Sequence, residues 1–350
     1  MGQMGFFDVS QRYEGLDRKG DPLALLAELV PWNEFRPKLK AALKAKGLRK
    51  SVAERKSPAG RKPWDEVAIF KALVLQALYN LSDEQMEYQL RDRLSFMRFL
   101  GLSLEDRVPD ATTLWLYREA LVKAGAVEKL FADFDAYLRA QGYAAMGGQI
   151  VDASIVAAPK QRNTRDENAA IKAGEVPQEW LADPSKLRQK DTDARWTKKN
   201  GRSHFGYKNH IGIDRKHKLV RRYTVTDAAC HDSQEFANVL DGSNSNADVW
   251  ADSAYRSEEA EAMLAQRGLR SRVHRRGARN HPLSEREQAG NTTRSKVRAR
   301  VEHVFGHQTT AMGAKLVRSI GLARAKAKIG MMNLAYNISR FACLHRMATA

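Results

Sequence analysis

Gln149-Ile150-Val151-Asp152-Ala153-Ser154-Ile155-Val156-Ala157 is the stretch on which the fold turns. Ile150, Val151, Ile155 and Val156 are β-branched, so the nine residues read as a strand. Asp152 stands in their midst. A carboxylate inside an apolar strand costs desolvation free energy unless a cation or hydrogen bonds compensate it. Asp152 is therefore the first candidate for chemistry.

Further along, His204–Asp214 and Leu219–Asp227 read as two strands joined by a turn at Arg215–Lys218, an antiparallel hairpin. Ser233–Leu240 reads as a short helix, and Ala247–Ala251 as a fourth strand ending at Asp252. Ser257–Arg267 reads as a helix with Gly268 as its stop residue, followed by a fifth strand over Leu269–His274. A helix runs through Val297–Phe305, and a last one covers Leu322–Arg346. A hairpin followed by strand–helix–strand crossovers is the order of a ribonuclease-H-like fold. The expectation is an α/β domain with a mixed five-stranded sheet and flanking helices. Residues 159–202 are polar and charged, too long for a plain loop, and read as an insertion or a substrate-contacting arm.

Toward the N-terminus the texture is helical. Pro22–Leu48 is amphipathic, and Lys50–Lys62 is a basic linker. Trp64–Asn80 is apolar at helical spacing, with Pro63 at the favoured first helical place. Ser82 and Gln85 form a capping-box pattern opening Asp83–Arg93. Asp110 caps Ala111–Lys123, and Val127–Ala140 makes one more helix. The expected organisation is a helical segment and basic linker over 1–62, an all-α domain over 63–145, and a catalytic domain over 146–350 with its arm at about 159–202. Short helices with tight turns suit a helix-turn-helix reader of DNA starting at Asp110–Arg118; a plain helical bundle is the alternative.

With 43% hydrophobic residues in 350, the chain has apolar mass for a core and is not mainly disordered. It has no run of 18 uncharged apolar residues, so no membrane span is expected. Met1–Asp8 lacks the basic stretch and apolar run of a signal peptide. Two distant cysteines, Cys230 and Cys343, exclude a disulfide framework and fit a reducing cytoplasm. Charge is uneven. Residues 1–150 carry 23 basic and 20 acidic side chains, whereas residues 151–350 carry 36 and 21. A polyanion is the expected partner of the second half, nucleic acid being the commonest; a merely solubilising surface is the plainer reading.

Three acids stand out by position: Asp152 in the first strand, Asp252 at the end of the fourth, and Glu302 on the late helix. Strands one and four are neighbours in the expected fold, so both aspartates point into one cleft. On a continuous helix, Val297, Val301, Val304 and Phe305 form an apolar stripe, with Arg298 and Glu302 together at its edge as i, i+4 partners. Converging carboxylates need a cation, and hard oxygen ligands suit Mg²⁺ or Mn²⁺. Two such ions about 4 Å apart serve in-line phosphoryl transfer. Taken singly, each acid has the ordinary alternative of a cap, turn or salt-bridge residue.

Several segments together carry a family resemblance. They are Leu81–Glu87 with Val108–Leu114, Val151–Val156, Asp193–His210, Ala251–Tyr255 and Arg298–Phe305. Over about Pro31 to Phe341 the chain resembles the DDE transposases of bacterial insertion sequences, in particular the insertion-sequence-five family within the four/five superfamily. The resemblance implies a ribonuclease-H-like catalytic domain with Asp152, Asp252 and Glu302 as metal ligands for two Mg²⁺ or Mn²⁺ ions. It implies strand cleavage at the element's terminal inverted repeats and strand transfer into target DNA. It further implies a cytoplasmic, nucleoid-associated protein acting as a homodimer or higher assembly on double-stranded DNA. Such enzymes often carry Tyr, Arg and Lys at −7, −4 and +7 from the glutamate. Here those positions hold Ser295, Arg298 and Thr309, with Lys315 a stand-in for the lysine.

Arg267–Arg300 holds 11 basic and two acidic residues. Arg275, Arg276, Arg294, Lys296, Arg298 and Arg300 are the expected phosphate contacts there, a solvated face being the alternative. Lys208 and His210, with His204, are expected to line the DNA path from one strand face. A zinc site from His204, His210, Cys230 and His231 lacks a suitable ligand pairing. Trp180 and Trp196 in the arm either stack on a flipped base or anchor the arm. Two rival functions remain: a catalytically silent DNA-binding regulator, against which the intact acid triad speaks, and a structure-selective nuclease such as a junction resolvase.

Overall fold

The computed structural model describes residues 8–48, 63–199, 201–278, 281–313 and 315–349. The expected basic linker, the leader reading of the first seven residues, and Arg279 lie outside them. The chain forms two compact units, one of residues 1–134 with 334–350 and one of residues 135–333. The units divide at 134/135 and 333/334. Both divisions fall inside helices, which sequence boundaries drawn at composition changes do not see.

The first unit is helical: α1 (Asp8–Arg18), α2 (Pro22–Leu29), α3 (Arg36–Ala45), α4 (Glu66–Tyr79), α5 (Asp83–Asp92), α6 (Leu94–Leu100), α7 (Ala111–Lys123) and the start of α8 (Ala126–Ala140). Asp65 caps α4 by accepting the N–H groups of Val67 and Ala68 at 2.9 and 3.0 Å. Pro63 therefore lies ahead of the helix rather than in its first turn, because a carboxylate satisfies two orphan donors where proline only lacks one. Buried residues occupy every face of α4, so it forms the centre of the unit. Phe70 on α4 meets Trp32 and Phe35 edge-on, with ring centroids 6.2 and 5.1 Å apart. The capping box at Ser82 and Gln85 is made in both directions. Asp110 caps α7 as expected, its carboxylate accepting from Thr113 N–H. The helix pair that starts at Asp110 is α7 and α8, joined through Ala124 and Gly125.

The second unit is a mixed sheet with helices. Its strands are β1 (Gln149–Ala157), β2 (Arg195–Lys199), β3 (Arg202–Asp214), β4 (Val220–Asp227), β5 (Asp248–Trp250) and β6 (Arg270–Ser271). Their order is β2-β3-β1-β5-β6, with β4 also paired to β3. Among the described residues the sheet has six strands, one more than expected. The additional one, β2, closes the polar arm; its Arg-Trp-Thr-Lys-Lys sequence hides it because an edge strand needs no buried alternation. The expected fifth strand, 269–274, shrinks to the two residues of β6. The arm itself folds into three short helices, α9 (Arg165–Lys172), α10 (Gln178–Ala182) and α11 (Pro184–Arg188), before β2. The expected helix at 233–240 is a 3-10 turn over Asp232–Asn238. α12 (Glu258–Gln266) runs as expected and ends at Gly268.

The pleat sorts the sheet's two faces. On one side Val151 packs with Phe236, Val239, Leu240, Tyr255, Leu264 and Val273 in a buried cluster. On the other side Asn209, opposite Ser154 in the register, donates to Asn333 Oδ1, which also accepts from Gln308. The late helical region comprises α13 (Glu285–Arg298), α14 (Arg300–Thr310) and α15 (Leu322–Thr349). α14 packs on β1 through Val301 and Val304, both fully buried. Gly206 is required where β3 passes β1: at φ +151° a Cβ there falls 2.3 Å from the carbonyl oxygen of Val156.

Candidate active site

β1 and β5 are parallel, with Gln149 opposite Val249 and Ile150 opposite Trp250. Two residues on, the same register sets Asp152 abreast of Asp252, which follows β5 directly after Ala251. The two carboxylates sense one another across this pair of strands: Asp252 contributes to raising the pKa of Asp152. Asp152 is buried, and burial is the main reason that its pKa rises to about 6. Arg298 opposes that rise, its Nη1 donating to Asp152 Oδ2 at 2.8 Å. Asp152 Oδ1 accepts from the N–H of Ala153 at 2.8 Å. Asp252 Oδ1 accepts from Ala254 N–H at 2.8 Å and so heads the 3-10 turn Ser253–Tyr255.

Tyr255 lies at the back of this pair, buried, its hydroxyl without a hydrogen-bond partner among the described residues. Burial, then Asp152, Asp232 and Asp252, push its pKa well above the ordinary phenol range, so it stays a neutral donor. Lys199 of β2 also acts on Asp152, lowering its pKa. Sequence reasoning missed both residues. Tyr255 was legible in Ala-Asp-Ser-Ala-Tyr as an aromatic three residues from the acid; Lys199 was not, because β2 was unseen.

Glu302 does not join the two aspartates in this conformation. The expected continuous helix through Val297–Phe305 is interrupted at Ala299, where α13 ends and α14 begins. Glu302 N–H bonds to the Ala299 carbonyl, three residues back rather than four. Ala299 itself keeps right-handed helical dihedrals, so the chain tightens there by one 3-10 turn. Val301 and Val304 fix the rotation of α14 on the sheet, which leaves Glu302 exposed. Among the described residues, no group of three or more His, Cys, Asp or Glu side chains is assembled to hold a metal ion. What is assembled is a pair of oxygen donors. One of them is buried and disfavoured as an anion, which suits a hard divalent cation such as Mg²⁺ or Mn²⁺. Arg298 supplies positive charge there in this conformation.

The expected DNA contacts separate into groups. Lys208 and His210 lie on the face of β3 opposite to Asp152, because Asp152 pairs with Ile211 and side chains alternate along a strand. His210 is fully buried; its Nε2 meets Thr226 Oγ1 at 2.9 Å, and burial lowers its pKa to about 4. Lys208 donates to the Cys230 carbonyl and pairs with Asp232 at 2.9 Å. Neither lines an open path in this structure. Arg275 pairs with Glu287 at 2.6 Å, and Arg294 donates to Asn291. Arg276 and Lys296 are exposed. Arg300 donates to the Arg215 carbonyl at 3.2 Å. Lys315 is exposed, and its backbone carbonyl accepts from Ala157 N–H at the end of β1. Trp180 is an anchor of the arm, buried and donating to Glu167 Oε1 at 2.7 Å, whereas Trp196 is 44% exposed beside Phe205.

A helical unit and a mixed sheet that sets two carboxylates abreast, one within β1 and one just past β5, in a strongly basic chain, define an α/β protein built around an acid pair. The family follows from the sequence models. Residues 144–338 match the family described as Transposase DDE domain, and residues 11–120 match Transposase domain (DUF772). The chain belongs to the DDE transposase family. Among solved structures it is similar to a piggyBac transposase determined as a synaptic complex with hairpin DNA. The two are 13% identical with a TM-score of 0.48, over 94% of this chain and 76% of that one. No helix among the described residues is long and apolar enough to cross a membrane.

Proposed function

We propose that this chain is the transposase of an insertion sequence of the insertion-sequence-five type. It binds the terminal inverted repeats, cleaves DNA strands there and joins them to target DNA. The catalytic domain on this reading is ribonuclease-H-like, the protein is bacterial and cytoplasmic, and a homodimer or higher assembly forms on DNA. The observation that carries the reading is the apposition of Asp152 and Asp252 across β1 and β5, within a chain whose second half has a large basic excess.

Asp152 and Asp252 are the proposed holders of Mg²⁺ or Mn²⁺, and Glu302 is the proposed third carboxylate, joining them when DNA is bound. When bound, such ions activate the attacking hydroxyl or water and stabilise the leaving oxygen. Arg298, beside Asp152, offsets its charge and is placed to contact a DNA phosphate, a task suited to a guanidinium that never loses its proton. Tyr255 keeps its proton and closes the back of the cleft against water. Lys296, Arg276, Arg294 and Arg275 extend the phosphate-binding surface along the late helical region.

Labelled duplexes carrying the element's own ends, incubated with the protein and Mg²⁺, test this. The expected result is a nick at the element end that leaves a 3′-hydroxyl, followed by joined products. Binding without any cleavage instead makes the chain a silent regulator. Cleavage of four-way junctions regardless of sequence makes it a resolvase.

A further inference from the structure

Beyond the acid pair, a second basic feature lies at the other end of the sheet. A cavity of about 440 Å³ opens where β1 begins, lined by Gly147, Arg215, Lys216, Ser245, Asn246 and Arg300. Three elements build it. Gly147 precedes β1, Arg215 and Lys216 form the β3–β4 turn, and Arg300 opens α14. The residue next to Gly147 must also be glycine: at Gly148, φ +89°, a Cβ falls 2.5 Å from the Trp250 ring and 2.7 Å from the Asp248 carbonyl. Arg215 lies over the ring of Trp250, 5.3 Å from its centroid, and Arg300 is steadied by the Arg215 carbonyl. Among the described residues, no carboxylate lies within ion-pair distance of Arg215, Lys216 or Arg300. Elsewhere in this unit Arg221, Arg270, Arg272, Arg275 and Arg298 each have one.

Three cations around one cavity, held on rigid turns and left without a counter-charge, form a receptor for an anion. Ser245 and Asn246 add neutral hydrogen-bonding groups of the kind that contact phosphate oxygens. Two positions apart along a helical path, Arg298 and Arg300 face different ways, Arg298 reaching Asp152 and Arg300 reaching this cavity. We infer that the cavity binds one phosphodiester of the DNA backbone at a distance from the cut. The inference rests on the transposase reading above and adds a subsite to it. β1 sets the spacing. Five residues separate Gly147 from Asp152, and at ~3.3 Å per residue the cavity lies roughly 16 Å from the acids. The contacted phosphate therefore lies away from the scissile one, at a position that a scan along the duplex locates.

The test is phosphate neutralisation by methylphosphonate, scanned one position at a time along the end duplex, with full-length protein and binding read at fixed salt. In the wild type, a neutral linkage at one position away from the cut weakens binding about tenfold. In the Arg215→Gln/Lys216→Gln/Arg300→Gln protein, binding to the unmodified duplex is weaker, its log–log salt slope is reduced by ~0.9, and that linkage no longer matters. Lys216→Gln alone, at an exposed position, gives a smaller shift of the same kind, and Arg300→Lys restores sensitivity. An unchanged salt slope in both Gln proteins, or undiminished sensitivity at that linkage, overturns the inference while leaving cleavage by the wild type intact. Failure of the wild type to bind or cut element ends at all overturns the underlying function instead.

Discussion

The guanidinium of Arg298 stands 2.8 Å from the carboxylate of Asp152, an acid that burial raises to a pKa of about 6. The pair joins the end of α13 to the middle of the sheet. Breaking one partner of a buried ion pair leaves the other exposed to its full desolvation cost.

Arg298→Ala is expected to weaken end binding and to slow cleavage by about 10²-fold, the size of effect that a 1 Å misplacement brings. The requirement for a divalent metal remains. Arg298→Lys keeps the charge without the planar fork and recovers only part of the rate. Single-turnover cleavage over a Mg²⁺ titration reads both, and wild-type rates in Arg298→Ala contradict the placement of this residue at the cleft.

Asp152→Asn is expected to stabilise the metal-free protein at neutral pH. The folded-state pKa, about 6, lies above the ordinary aspartate value of 3.8, so the native state holds its proton over a range where the unfolded chain has lost it. The wild type therefore loses stability as pH rises from about 4 to 6, by up to ~3 kcal/mol, and stays at that lower level above it. The amide of the variant lacks this ionisation. Urea denaturation in the presence of a chelator should show the variant more stable at pH 7.5 and the difference closing toward pH 4. A variant less stable at pH 7.5 than at pH 4, relative to wild type, contradicts the electrostatic account.

The two arm tryptophans should behave differently. Trp180 is fully buried with its indole N–H on Glu167, so Trp180→Ala is expected to cost about 3–5 kcal/mol. Trp196 is 44% exposed, and Trp196→Ala should cost less than about 1 kcal/mol. Thermal denaturation of the two proteins compares them directly. Equal losses contradict the assignment of Trp180 as the anchor.

How much of this was legible in the sequence depends on what each residue faces. β1 is bounded as its β-branched run indicated, because a strand buried on both faces writes its limits in apolar residues. The hairpin of β3 and β4, α12 with its glycine stop, and the caps at Ser82 and Asp110 were legible for similar local reasons. β2 was not, since its partner strand supplies its structure. The pairing of Asp152 with Asp252 followed from strand order. The exposure of Glu302 did not, because the seating of Val301 and Val304 against the sheet decides it. The faces of Lys208 and His210 were misjudged for the same reason: a strand's period tells which residues share a face, but the register with β1 decides which face is Asp152's.

On the proposed function Asp152, Asp252 and Glu302 act together on one phosphoryl transfer, the two aspartates set abreast by β1 and β5. The most direct measurement is cleavage and joining of labelled element ends by Asp152→Asn, Asp252→Asn and Glu302→Gln in Mg²⁺, each first shown to bind the ends. All three should bind and neither nick nor join. Ca²⁺ should support binding by the wild type without turnover, its looser coordination suiting the transition state poorly. Near wild-type cleavage by Glu302→Gln would remove the exposed glutamate from the site, and near wild-type cleavage by either aspartate variant would contradict the account at its core.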